Sequence, residues 1–125
     1  MDGPGRSAAA ATRAAVGTEK EQVGCRYLQG QGLRLVARNY RCRHGELDLV
    51  MRDGDTLVFV EVRFRRSTRF GGAAQSVDVH KQQRLAAAAG HYLQSHPSPL
   101  ACRFDVLAIG AGDQIDWIKD AFSVE

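Results

Sequence analysis

Residues 45–63 read GELDLVMRDGDTLVFVEVR. Two apolar runs flank an Asp-Gly pair at 53–54, the signature of two β-strands joined by a tight hairpin. Three carboxylates, Glu46, Asp48 and Glu61, sit inside those runs, among Leu47, Leu49, Val50, Leu57, Val58, Phe59, Val60 and Val62. A carboxylate in such surroundings loses its water and needs a partner, and a divalent cation is one such partner.

Side chains alternate along a strand, so Glu46, Asp48 and Val50 are expected on one face of the first strand. Leu57, Phe59, Glu61 and Arg63 are expected on one face of the second. If Asp53 and Gly54 form the turn, Arg52 pairs with Asp55, Glu46 lies opposite Glu61, and Asp48 is diagonal to Glu61. A four-residue loop instead puts Asp48 directly opposite Glu61. A three-residue loop would send the two to opposite faces. The first two registers also bring Leu47, Leu49 and Met51 against Val58, Val60 and Val62 as one apolar layer, which the third would mix.

The polar face then carries Asp48, Glu61 and Arg63. Hard cations such as Mg²⁺ or Mn²⁺ take oxygen ligands, often one or two carboxylates plus water and substrate phosphate. The Val62 carbonyl is a further candidate ligand. Such an ion activates water and neutralises charge developing on a phosphate, and a basic residue two places after Glu61 suits a phosphodiester. The same pattern also fits salt bridges from Asp48 or Glu61 to Arg63, and the residues alone leave both readings open.

Further blocks lie on either side of the hairpin. They are Glu21, Ala37-Arg38-Asn39-Tyr40-Arg41-Cys42-Arg43, Phe70-Gly71, Lys81-Gln82-Gln83-Arg84-Leu85 and Cys102-Arg103-Phe104-Asp105-Val106. With Gly45-Glu46-Leu47-Asp48-Leu49 and Phe59-Val60-Glu61-Val62-Arg63, this set resembles the YraN-like family of small bacterial proteins over nearly everything after about residue 17. The order Glu…Asp…Glu-x-basic also resembles the PD-(D/E)XK, or restriction-endonuclease-like, nuclease superfamily. The resemblance implies a nuclease-like core, with Asp48 and Glu61 as metal ligands and Glu21 as an accessory carboxylate from the first helix. The chain departs from the family at Arg63, where lysine is usual. Lysine can assist a nucleophilic water. Arginine stays protonated and is a planar fork suited to holding phosphate.

A chain of 125 residues is expected to be one domain with its own core. Its 44% hydrophobic and 25% charged residues are ordinary for a globular protein, and no apolar run is long enough to span a bilayer. Residues 1–17 are expected to be a disordered tail and residues 18–125 the folded domain. Cys25, Cys42 and Cys102 are an odd count without metal spacing, which argues against zinc and against a disulfide framework and for the cytoplasm.

The net charge of +3 is mild, but its distribution is not even. Arg41 and Arg43 follow the first strand, and Arg65, Arg66 and Arg69 follow Arg63, interleaved with Phe64 and Phe70. Arginine-rich loops with aromatics suit phosphate contact and base stacking. Lys81, Gln83 and Arg84 open a later helix, where they could reach a nucleic-acid backbone.

The remaining elements read as a scaffold. Thr18 caps a helix running to Gly30, with Val23, Tyr27 and Leu28 inward. Leu33 to Tyr40 forms a strand. Asp78 caps a helix to about Gln94 with an apolar stripe of Leu85, Ala88, Ala89, Tyr92 and Leu93. Cys102 to Ile109 is a strand, with Asp105 facing away from Phe104, Val106 and Ala108 as a partner of Arg103. Gln114 to Ile118 closes the sheet. The order αβββαββ predicts an α+β fold of restriction-endonuclease-like type around a central mixed sheet. The expected function is that of a metal-dependent nuclease-like protein that binds nucleic acid, DNA ahead of RNA, with hydrolysis of phosphodiesters, as in structured or branched DNA, the expected chemistry. The alternatives are a binding module that has lost its chemistry, and a protein-interaction adaptor. A homodimer is left open.

Overall fold

The computed structural model describes residues 8–64 and 77–123, with side chains from residue 18 onward. Two helices and five strands follow in the order α1 (Ala8–Gly30), β1 (Arg34–Cys42), β2 (Gly45–Asp53), β3 (Thr56–Phe64), α2 (Val79–Ser95), β4 (Ala101–Ile109) and β5 (Ile115–Phe122). This is the expected α+β order. The sheet order is β1-β2-β3-β4-β5. β3 and β4 are parallel, joined through α2, and the other pairs are antiparallel, so the sheet is mixed. None of the described helices is long and apolar enough to cross a membrane.

The sheet is buried on both faces, which is why its central strands read as near-continuous apolar runs. On one face Cys25 and Leu28 of α1 pack with Leu49, Met51, Val58, Val60 and Leu107. On the other, Leu85, Ala88, Ala89 and Tyr92 of α2 pack with Leu47, Val50, Leu57, Phe59, Val106 and Ala108.

α1 begins at Ala8, not at Thr18, so the expected cap lies inside the helix. Alanine is the strongest helix former, and an Ala-rich stretch that lacks an apolar stripe can still extend a helix that is anchored further on. Of the tail expected over residues 1–17, residues 1–7 lie outside the described residues. The far end stops as anticipated. Gly32 takes φ 101, its N–H donates to the Gln29 carbonyl, and the Leu33 N–H donates to that of Leu28 at 3.0 Å. Leu33 and Leu28 also pack together in the core, which completes a Schellman stop. At α2, Asp78 is the N-cap, and its carboxylate accepts from the Lys81 N–H at 2.8 Å.

The hairpin turn is displaced by one residue from the Asp53-Gly54 expectation. Asp53 pairs with Thr56, so Gly54 and Asp55 make the turn, with Gly54 at φ 59 where a side chain would be strained. This pairing continues into the register expected of the longer loop, with Asp48 facing Glu61. Regular pairing stops one residue earlier, at Leu49–Val60.

That stop marks a correction to the expected alternation. Leu47 and Val50 lie in the same core cluster although they are three residues apart. Leu49 and Met51 belong to the opposite cluster, so Leu47 does not join their layer and Val50 does not share a face with Glu46 and Asp48. The neighbouring strand breaks in the same place. Ala37 and Tyr40, also three apart, pack on one side, and Asn39 between them has φ 52. Arg38 pairs with Leu49 and Tyr40 with Leu47, so Asn39 lies beside Asp48. The two irregularities together turn Asp48 out of the sheet's apolar pattern.

Candidate metal centre

β2 delivers Glu46 and Asp48, and α1 delivers Glu21 one turn before the buried Cys25. One carboxylate oxygen from each of the three lies within 4.8 Å of the others. The helix carboxylate therefore points at the sheet. The Val62 N–H donates to Asp48 Oδ2 at 2.9 Å and fixes the orientation of that carboxylate from β3. Asn39, in its left-handed conformation, acts on the Glu21 carboxyl and opposes the rise in its pKa.

Burial and neighbouring acids raise the pKa of two of these carboxyls, Asp48 and Glu21. Asp48 is pushed from its ordinary 3.8 up to about 8, first by burial and then by the charge of Glu61, with Glu21 and Glu46 adding to it. Glu21 is raised as well, by burial and by the charge of Glu46, against the opposing charges of Arg38 and Arg41. The donor set is all oxygen, and its acids repel one another, which is the condition a hard divalent cation relieves. The residues therefore fit Mg²⁺ or Mn²⁺.

Glu61 is turned differently. It is 5% exposed, and its Oε2 is 3.3 Å from Arg63 Nη1 and 3.4 Å from Lys81 Nζ. Asp48 and Glu61 thus come close enough for the Glu61 charge to act on Asp48, but the three carboxylates that converge within 4.8 Å are Glu21, Glu46 and Asp48. Glu46 was visible in the sequence by its parity with Asp48, yet the family motif that singles out Asp48 and Glu61 passes over it. The Lys81 contact had no sequence signal, because it depends on how the crossover helix docks.

The remaining sites separate. Arg41 pairs with Glu46 at 3.3 Å on the surface. Arg43, Gln83 and Arg84 are exposed, and Lys81 is half-buried. Arg84 stands over the β1–β2 turn, its Cβ 3.7 Å from where a side chain on Gly45 would begin. The Val62 contact to Asp48 is made by its N–H. Arg65, Arg66 and Arg69 lie outside the described residues. Asp105 is fully buried and bonded to Arg103, away from the acidic cluster, as expected of a structural residue.

The model of the uncharacterised protein family UPF0102 matches residues 20–109. A UPF0102 protein of Nitrosococcus oceani is 52% identical over 120 residues, covering 92% of this chain and 97% of its own length. A UPF0102 protein of Ralstonia nicotianae is 57% identical over 117 residues, covering 90% and 89%. One from Herminiimonas arsenicoxydans is 56% identical over 109 residues, covering 87% of each. The matched span contains Glu21, Glu46, Asp48, Glu61, Arg63 and Lys81, and the chain belongs to the UPF0102 family.

Proposed function

We propose that this chain is a metal-dependent nuclease-like protein with a restriction-endonuclease-like core, binding nucleic acid and acting on phosphodiesters, with structured or branched DNA as the substrate class. The observation that carries this reading is the convergence of Glu21, Glu46 and Asp48 beside Glu61, with two cationic side chains on the Glu61 side. Asp48, Glu21 and Glu46 would hold the cation, with Glu61 at its edge. When bound, Mg²⁺ or Mn²⁺ supplies charge neutralisation at the phosphate and acidifies water.

The chain's own groups divide the remaining work. The Val62 N–H keeps Asp48 aimed into the cluster. Arg63 offers a planar fork to non-bridging phosphate oxygens and cannot take up a proton. Lys81 Nζ, on the same carboxylate, is the group on this face able to give or accept one. Lys81 therefore stands in for the lysine that the family places at Arg63. Arg41, Arg43 and Arg84 offer positive charge around the cluster for the nucleic-acid backbone.

The test is incubation with branched and linear DNA, in Mn²⁺ and in EDTA, with Asp48→Asn in parallel. Cleavage that needs both metal and Asp48 is the expected result, and cleavage that persists in the variant would sink the reading. The second reading is a binding module without chemistry. It is favoured by Arg63 and by the two cations already occupying Glu61. Its signature is a salt-sensitive mobility shift in EDTA with no product, and a gain of cleavage in Arg63→Lys would reject it. A protein with no shift at any salt concentration would be an adaptor.

A further inference from the structure

We propose that the cavity between α1 and β1 is a binding site for a phosphomonoester. The cavity measures about 240 Å³ and is lined by Gln22, Cys25, Arg26, Gln29, Leu35 and Arg38. Gln22, Cys25, Arg26 and Gln29 fall on one side of α1 because they repeat at three- and four-residue spacing. The lining holds two guanidinium groups and two amides, and no carboxylate.

Arg38 Nε is buried and makes no hydrogen bond. Among the described residues neither Arg26 nor Arg38 enters an ion pair. The protein leaves one donor of the half-buried Arg38 unmet, and an oxyanion in the cavity would draw the guanidinium toward it as a charge partner. Two guanidinium forks match a phosphate dianion better than a single carboxylate. The volume exceeds that of a bare anion, given ~30 Å³ for a water in the liquid. The surplus suits a phosphate carrying an organic group, for which Leu35, 38% exposed, offers an apolar wall.

Arg38 acts electrostatically on both Cys25 and Glu21. The cavity therefore borders the acidic cluster but is separate from it, and binding there does not require that the cluster hold a metal. The phosphate can belong to a free mononucleotide or to the end of a nucleic-acid strand.

The experiment is an NMR titration of the full chain in EDTA. The probes are inorganic phosphate, adenosine 5′-monophosphate, and a single-stranded oligonucleotide with and without a 5′-phosphate. The expected result is saturable shifts at Arg38 Nε–H and at the side-chain amides of Gln22 and Gln29. Arg38→Gln should weaken binding of adenosine 5′-monophosphate at least about tenfold. Gln29→Glu leaves Arg38 in place and adds a negative charge at an exposed position. It should weaken binding to a similar degree, and it keeps the test valid if Arg38→Gln unfolds. A matching loss with the 5′-phosphorylated oligonucleotide assigns the phosphate to a strand end, and a loss with the mononucleotide alone assigns it to a free nucleotide. Unsaturable shifts, or binding unchanged in both variants, would overturn the proposal. Because the titration contains no metal, absence of DNA cleavage leaves its outcome untouched.

Discussion

Metal-free protein carrying Asp48→Asn should be more stable than the parent, by roughly 2–4 kcal/mol at a pH near 7.5. The reason is the burial of Asp48, with the charge of Glu61 and the other acids beside it, which lifts its carboxyl from 3.8 to about 8 in the folded chain. A group whose folded pKa lies above its unfolded value binds a proton in the folded state that the unfolded state has already released. Its stabilising contribution is complete below the unfolded pKa and is lost as pH rises through the folded one. Stability in EDTA should therefore fall by up to about 1.4 kcal/mol per pH unit between pH 4 and pH 8. Glu21, raised for the same causes, acts in the same direction. Asparagine keeps an oxygen for the Val62 N–H but adds no charge, so the slope should flatten. Urea unfolding at several pH values measures it. Mn²⁺ should restore stability to the parent at high pH and do little for the variant. A parent whose stability rises from pH 5 to pH 8 in EDTA would contradict this account of the cluster.

The second large effect lies on the opposite side of the sheet's centre. Arg103→Met should lower stability by roughly 3–5 kcal/mol, because it strands a fully buried charge. Asp105 is 0% exposed. It accepts from Arg103 Nε at 2.9 Å and Nη2 at 3.1 Å, from Trp117 Nε1 at 2.9 Å and from the Asp120 N–H at 2.9 Å. Arg103 also reaches Asp53 at 3.0 Å, so one guanidinium ties β4 to the β2–β3 turn. The Asp120 contact holds a non-glycine residue at φ 52 in β5. Removing the arginine loosens all three elements at once. Urea denaturation tests this, and a loss below about 1 kcal/mol, the scale of an exposed ion pair, would show that the carboxylate is not buried as described.

The order of elements was legible because each carries a local signal that tertiary context does not overrule. The Asp78 cap, the α2 stripe and the pairing of Arg103 with Asp105 are of this kind. The carboxylates of the hairpin were legible for a related reason, since charge inside an apolar strand is conspicuous. What strict alternation could not give was the break at Asn39 and Asp48. The β1–β2 pairing keeps its register through that break, and nothing in Leu47-Asp48-Leu49-Val50 marks where the faces change. Lys81 read as a surface helix residue because its contact with Glu61 is set by a crossover helix docking on a distant strand. The helix over Ala8 onward was misjudged because composition without periodicity gave propensity no partner.

The central claim is that the four-acid site takes a divalent cation, and calorimetric titration with Mn²⁺ near pH 7 tests it most directly. Two buffers of different ionisation heat report the protons released. Asp48, with its pKa near 8, must give up its proton to become a ligand. The account predicts one saturable site per chain, release of close to one proton on binding, and loss of both in Asp48→Asn. No saturable binding, or binding that is the same in the variant, would contradict it.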